Sequence, residues 1–275
     1  MLFLIFSFFL LTGCGTNPVT GKKELRILSE KQEIDMGRKN YLASQKTQGG
    51  RLQGQTALEQ YVQKIGKKLA AISDRPHLPY EFVILNDSVP NAWAMPGGKI
   101  AINKGLLLGL ENEAELAAVL GHEIVHSAAG HSARSVEKAN ILNAGLSLLS
   151  HSLGNHQNAD GIMQASSTAA QLGVMAYSRH HEKEADQYGM LYMSRAGYDP
   201  KAAVSLQEKF LAWSKSSGTK KHWIAGFFAS HPPSEERIVL NKKHLEKLPS
   251  GGKIGSAEYQ AMIASLKKTR QKNSK

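Results

Sequence analysis

The pattern that most constrains this chain is His122-Glu123-Ile124-Val125-His126, set in a run of apolar residues. Residues four apart lie on one face of an α-helix, about one turn along its axis. Two imidazoles so placed reach one metal ion together, and Glu123 falls beside any water that the ion binds. The spacing therefore demands a helix through 122–126 and a fold that brings a further ligand to it. The context supplies the helix. Glu111-Asn112-Glu113 places acidic residues at an N-terminus, Leu116, Val119, Leu120, Ile124 and Ala128 continue at helical spacing, and Gly130 is a stop.

A catalytic zinc takes three protein ligands and leaves one position for water. His131 is the near candidate for the third. The metzincin pattern HExxHxxGxxH puts its last histidine six residues after the second, where this chain has Ser132, and its glycine where this chain has Ala129. His131 falls off the ligand face and reads as a surface histidine or one that supports a ligand from behind. The other candidate lies in Tyr177-Ser178-Arg179-His180-His181-Glu182-Lys183-Glu184-Ala185-Asp186. Glu182 and Asp186 share a helix face, while Glu184 points elsewhere. One carboxylate to bind a metal and a second to hold a histidine ligand by its far nitrogen is sound metal-site chemistry.

Taken together, HEIVH and YSRHHEKEAD resemble the gluzincin metallopeptidases of the HtpX and CAAX-prenyl-protease type, whose pattern is HExxH followed by SRxxExxAD. Asn91-Ala92-Trp93-Ala94-Met95-Pro96-Gly97-Gly98 is similar to that family's NAxxxPGG region, and Ser230-His231-Pro232-Pro233-Ser234-Glu235-Glu236-Arg237 to its SxHPPxxxR box. Cys14-Gly15-Thr16-Asn17-Pro18 resembles the start of its bacterial lipoprotein branch. The likeness covers roughly residues 14–245.

It implies an α+β, mainly α-helical, zincin-like metallopeptidase with a small antiparallel sheet beside the HExxH helix. It implies one Zn2+ per chain on His122, His126 and Glu182, with Glu123 as general base to a zinc-bound water and Asp186 orienting a histidine ligand, taken to be His122. His231, on a stiff His-Pro-Pro turn, is the candidate donor to the oxyanion, or a cap on the zinc at rest. Arg237 anchors that box to the site. The strand around Asn91 and Ala92 would offer main-chain groups to an extended protein or peptide substrate, pairing it as an added strand. That mode favours unfolded or exposed segments, and the resemblance to the lipoprotein branch implies that they belong to cell-envelope proteins.

Residues 2–11 are apolar except Ser7, a run too short to span a membrane as a helix and suited to a signal peptide, although no Lys or Arg precedes it. Leu11-Thr12-Gly13-Cys14 reads as a lipobox. Cys14 is the only cysteine, so no internal disulfide is possible and lipidation accounts for it. With Gly15 after it, likeness to Gram-negative lipoproteins implies a lipid anchor at the periplasmic face of the outer membrane. The net charge of +11 raises the question of nucleic acid. No recognisable nucleic-acid-binding pattern accompanies it, so a nucleic-acid partner is not expected. Lys267, Lys268, Arg270, Lys272 and Lys275 form a basic tail, either solubilising or close to anionic lipid.

The expected organisation is a signal peptide over 1–13, a lipidated linker over 14–28, a metallopeptidase domain over 29–250, and a C-terminal helix and basic tail over 251–275. Within the domain, helices are expected at 29–45 and 56–73 and strands at 80–85 and 98–103. Further helices should start at Asp199-Pro200 and at Ser234, and a last one should cover 256–270. Asp160 is the only charged residue in 139–178, where two helices with a loop over 154–161 would lie near the site, as a cover or as an ordinary core hairpin. His77, His151, His156, His180, His181, His222 and His244 read as structural or solvated. A periplasmic chaperone or assembly factor acting with the outer-membrane assembly machinery, in which proteolysis is secondary, is the alternative. An aminopeptidase lacks its amine-binding signature, and a membrane-spanning prenyl protease lacks its spans.

Overall fold

A computed structural model describes residues 14–153, 178–216 and 226–272. The described chain is mostly helical with two small sheets. Helix α1 (Glu30–Lys46) opens with a capping box, in which Ser29 and Gln32 satisfy each other's main-chain N–H groups. Helix α2 (Thr56–Ala70) is amphipathic and buries Leu58, Tyr61, Val62, Ile65 and Leu69. The three-stranded sheet follows, with β3 (Glu81–Leu85), β4 (Ala92–Met95) and β5 (Lys99–Asn103), numbered after a hairpin formed by β1 (Cys14–Thr16) and β2 (Lys23–Leu25).

The expected antiparallel sheet is mixed. Strand order is β3-β5-β4, with β3 parallel to β5 and β4 antiparallel to it. The reason is the Pro96-Gly97-Gly98 turn, which folds β4 directly back onto β5 and leaves β5 central. Gly97 and Gly98 have φ of 74° and 84°, left-handed values that favour glycine. A Cβ on Gly97 would also lie 2.6 Å from the Ile34 Cα of α1. One face of the sheet, with Phe82, Ile84, Ile100 and Ile102, joins the main core. The other, with Val83, Leu85 and Ala101, packs on Tyr41 of α1.

After the short α3 (Lys104–Gly109), the HExxH helix is α4 (Glu113–Ala128). Asn112 caps it, accepting from Glu115 N at 2.9 Å, and Gly130, at φ 75°, ends it. Leu116, Leu120, Ile124 and Val125 are fully buried, so this helix is the centre of the core rather than a surface element. Helix α5 (His131–Leu153) leaves the body with an uncharged second half, and the expected loop over 154–161 and second helix lie outside the described residues. Among the described residues, no helix is long and apolar enough to cross a membrane.

Helix α6 (Arg179–Arg195) packs closely on α4 because two glycines meet: Gly121 faces the Gly189 carbonyl, and a Cβ on Gly189 would sit 3.0 Å from His122 N. Helices α7 (Lys201–Lys215), α8 (Glu235–Leu245) and α9 (Ala257–Lys272) complete the fold. The C-terminal segment is not a loose appendage, since Tyr259, Ile263 and Leu266 are buried in the main core.

Residues 15–28, expected as a linker, are extended but tied down. Cys14 pairs with Leu25 and Thr16 with Lys23, Glu24 forms an ion pair with Arg134, and Glu137 Oε1 accepts from Ile27 N at 2.8 Å and Leu28 N at 2.6 Å. Hydrogen-bond partners on α5, invisible to a local reading, make the difference.

Candidate metal centre

Three elements converge on one point. Helix α4 brings His122 and His126, α6 brings Glu182, and the turn before α8 brings His231. His122 Nε2 lies 3.0 Å from His126 Nε2 and 3.5 Å from Glu182 Oε2, while His126 Nε2 is 3.2 Å from Glu182 Oε1. His231 Nδ1 stands 3.3 Å from His122 Nε2 and 3.2 Å from Glu182 Oε2. Ligands about 2.0–2.1 Å from a tetrahedral zinc are separated by about 3.3 Å. The donor set thus fits zinc in atom type and spacing. Glu182 is buried, and its Oε1 faces the His126 nitrogen, so both atoms are of the kind that bind zinc.

The field at this point favours a cation. Burial opposes charge on His122, but Glu182 and Asp186 outweigh it and push its pKa up to about 10. Burial would likewise raise Glu182, yet His231 and His122 hold its carboxyl well below the usual range.

Glu123 is buried beside the cluster, with Oε1 3.5 Å from His231 Nε2 and Oε2 without a hydrogen-bond partner. Burial raises its pKa above the ordinary value, which makes it a better proton acceptor than a solvated carboxylate.

Asp186 sits one turn along α6 from Glu182, and its Oδ1 is 3.1 Å from His122 Nδ1. Arg237 holds it with two hydrogen bonds of 2.7 Å. Burial alone would raise the Asp186 carboxyl, and the guanidinium brings it down to about 2. Arg237 Nη1 also lies 3.0 Å from Glu182 Oε2 and donates to the Pro232 carbonyl at 3.0 Å. One side chain thereby links a candidate ligand, the residue behind another, and the His-Pro-Pro turn.

The remaining candidates stand apart. Ala92 is fully buried in the core, and the Asn91 amide donates to Gln48 Oε1 at 3.1 Å; neither lines the cavity at the cluster. Their strand, β4, is an edge of the sheet next to α4, and the Met95 and Ala94 carbonyls accept from Ser127 and Ser132. Cys14 belongs to β1. The cavity holding His122, Glu123 and His231 is lined by apolar groups, among them Val119, Met190, Leu206, Phe210 and Phe227, and by the polar Asp186, Gln207, Arg237 and Asn241.

His131 is not on the surface. It is fully buried, with Nδ1 3.0 Å from His126 Nδ1 and Nε2 3.1 Å from Glu184 Oε2. His181 stacks on its ring at 4.2 Å between centroids, while His180 is exposed. The signal for Glu184 was present in the alternation Glu182, Glu184, Asp186, which points carboxylates to opposite sides of α6.

Comparison with known proteins places these features in context. The profile of peptidase family M48 matches residues 56–244. The chain is 34% identical over 179 residues to the mitochondrial metalloendopeptidase OMA1 of Schizosaccharomyces pombe, which covers 65% of this chain and 50% of that protein. It is 27% identical over 229 residues to the beta-barrel assembly-enhancing protease of Escherichia coli, covering 82% of this chain and 46% of that one. The protein of the same name from Yersinia pestis is 29% identical over 247 residues, with 88% and 50% covered. The chain spans about half the length of these relatives.

Proposed function

The chain belongs to peptidase family M48, and from that premise we propose that it is a zinc-dependent endopeptidase. Its substrates would be unfolded or misassembled proteins of the cell envelope. The observation that carries the reading is the set of donor atoms on His122, His126 and Glu182 at tetrahedral-edge spacing, with Glu123 buried beside them.

One zinc ion per chain supplies Lewis-acid polarisation of the scissile carbonyl and a more acidic water. Glu123 receives a proton at an oxygen that no hydrogen bond occupies and delivers it to the leaving amine. Asp186 keeps the His122 ring turned with Nε2 toward the metal, and Arg237 keeps Asp186 in place. The apolar part of the lining lowers the local dielectric and strengthens the charges beside it.

His231 stands at the fourth corner of the donor set. This position favours the resting-state cap over the oxyanion donor, and a site closed at rest also keeps the chaperone or assembly reading alive. The envelope substrate is supported by likeness to proteins named for β-barrel assembly. Lipidation of Cys14 and residence at the periplasmic face of the outer membrane rest on Leu11-Thr12-Gly13-Cys14 and the lipoprotein-like start.

The test is metal removal. Dialysis against a chelator should abolish cleavage of an unfolded protein such as reduced casein, and one equivalent of zinc should restore it. Cleavage that persists in the metal-free protein overturns the assignment.

A further inference from the structure

We infer that His131 and Glu184 are positioning residues for the metal ligand His126, forming a histidine–histidine–carboxylate relay behind it. The inference rests on the zinc reading of the cluster. His126 turns Nε2 toward the cluster, 3.2 Å from Glu182 Oε1. A histidine that ligates through Nε2 carries its ring proton on Nδ1. That proton needs an acceptor, because His126 is fully buried.

The atom in reach is His131 Nδ1, at 3.0 Å. For it to accept, His131 must carry its own proton on Nε2. Nε2 lies 3.1 Å from Glu184 Oε2, which accepts it. Each assignment follows from the one before, and the chain of donors ends on an anion. His181 stacks on one face of the His131 ring at an interplanar angle of 10° and packs it in place from that side.

The relay has a counterpart. His122 is held through its Nδ1 by Asp186, and Asp186 is two residues beyond Glu184 on α6. One helix therefore serves the cluster three times. Glu182 enters it, Asp186 backs one histidine directly, and Glu184, on the other side, backs the second through His131. His131, the first residue of α5, stands between the Nδ1 side of His126 and Glu184.

Zinc affinity of the intact chain tests this, measured by competition with a chromophoric chelator. Wild type should bind one zinc. Residues behind a metal ligand typically contribute ten- to a hundredfold in affinity. His131→Phe, which keeps ring volume and removes both nitrogens, should weaken zinc by that factor. Glu184→Ala should approach the same loss, while Glu184→Gln, which still offers an oxygen to His131 Nε2, should fall between it and wild type. This graded order is not expected of a residue that merely fills space. In zinc-loaded protein with 15N-labelled histidine, the His126 Nδ1 proton should be visible and should vanish or shift in His131→Phe.

Should His131→Phe fail to fold, the two Glu184 variants decide. Wild-type affinity in both overturns the inference while leaving the metal site standing. Failure of the wild type to bind zinc overturns the metal reading itself, a different result.

Discussion

Asp186 and Arg237 form a two-point ion pair: Nε lies 2.7 Å from Oδ2 and Nη2 lies 2.7 Å from Oδ1. The same Oδ1 faces His122 Nδ1, so the guanidinium sets the angle of a candidate ligand from two residues away. A lysine keeps the charge and loses the fork. Arg237→Lys is expected to weaken zinc binding about tenfold and Asp186→Asn about ten- to a hundredfold. Chelator competition measures both, and wild-type affinity in each would remove the pair from the site.

His231 occupies the fourth corner, 3.3 Å from His122 Nε2. If it closes the site at rest, His231→Ala should keep zinc on the other three ligands and cleave unfolded protein at least as fast as wild type. If it is instead the oxyanion donor, kcat should fall about a hundred- to a thousandfold. Steady-state cleavage of a fluorogenic peptide separates the two, and the spacing favours the first.

Behind α4, Arg75 is buried against Glu33 at 2.8 Å, and Arg26 reaches the other oxygen of that carboxylate at 2.7 Å. Arg75 Nη1 also lies 3.5 Å from the Ser127 carbonyl, next to His126 in sequence. Removing one partner of a buried pair leaves a charge uncompensated and costs roughly 3–5 kcal/mol. Glu33→Ala should lose about that much stability in urea denaturation; a change below about 1 kcal/mol would mean that water or Glu30 compensates Arg75 fully.

Glu113, the first residue of α4, accepts hydrogen bonds from Tyr61, Tyr198, Lys253 and Ser256. Burial would raise its pKa, but these partners lower it from 4.5 to about 2. The folded protein therefore holds this carboxyl ionised where the unfolded chain protonates it. The stability it contributes is complete above about pH 4.5 and is lost as pH falls toward about 2. Glu113→Gln should flatten the decline in unfolding free energy between pH 5 and pH 3. An unchanged slope would show that other carboxylates carry it.

Which candidate ligands share a helix face was legible from local geometry, while the choice of Glu182 as the third ligand came from the resemblance to a known family. A helical repeat puts His122 beside His126 and Glu182 in line with Asp186, whatever the rest of the chain does. Helix starts at Ser29, at Glu111–Glu113 and near Ser234 were legible for the same reason, since caps and acidic first-turn residues act within a few positions. The parallel pairing of β3 with β5 was not, because it depends on which strand becomes central. For His131 a surface place and a place behind a ligand both stayed open, because choosing between them needs the packing of α6 that brings Glu184 within reach. The N-terminal segment is tied to Arg134 through Glu24 and to Glu137 through Ile27 and Leu28, partners more than a hundred residues away in sequence.

In the proposed function, Glu123 moves the proton while His122, His126 and Glu182 hold the zinc. Glu123→Gln should be purified and assayed together for zinc content and for cleavage of reduced casein. The variant should hold one zinc per chain, as in wild type, with cleavage reduced by at least about a hundredfold. Zinc retained with wild-type cleavage would contradict it.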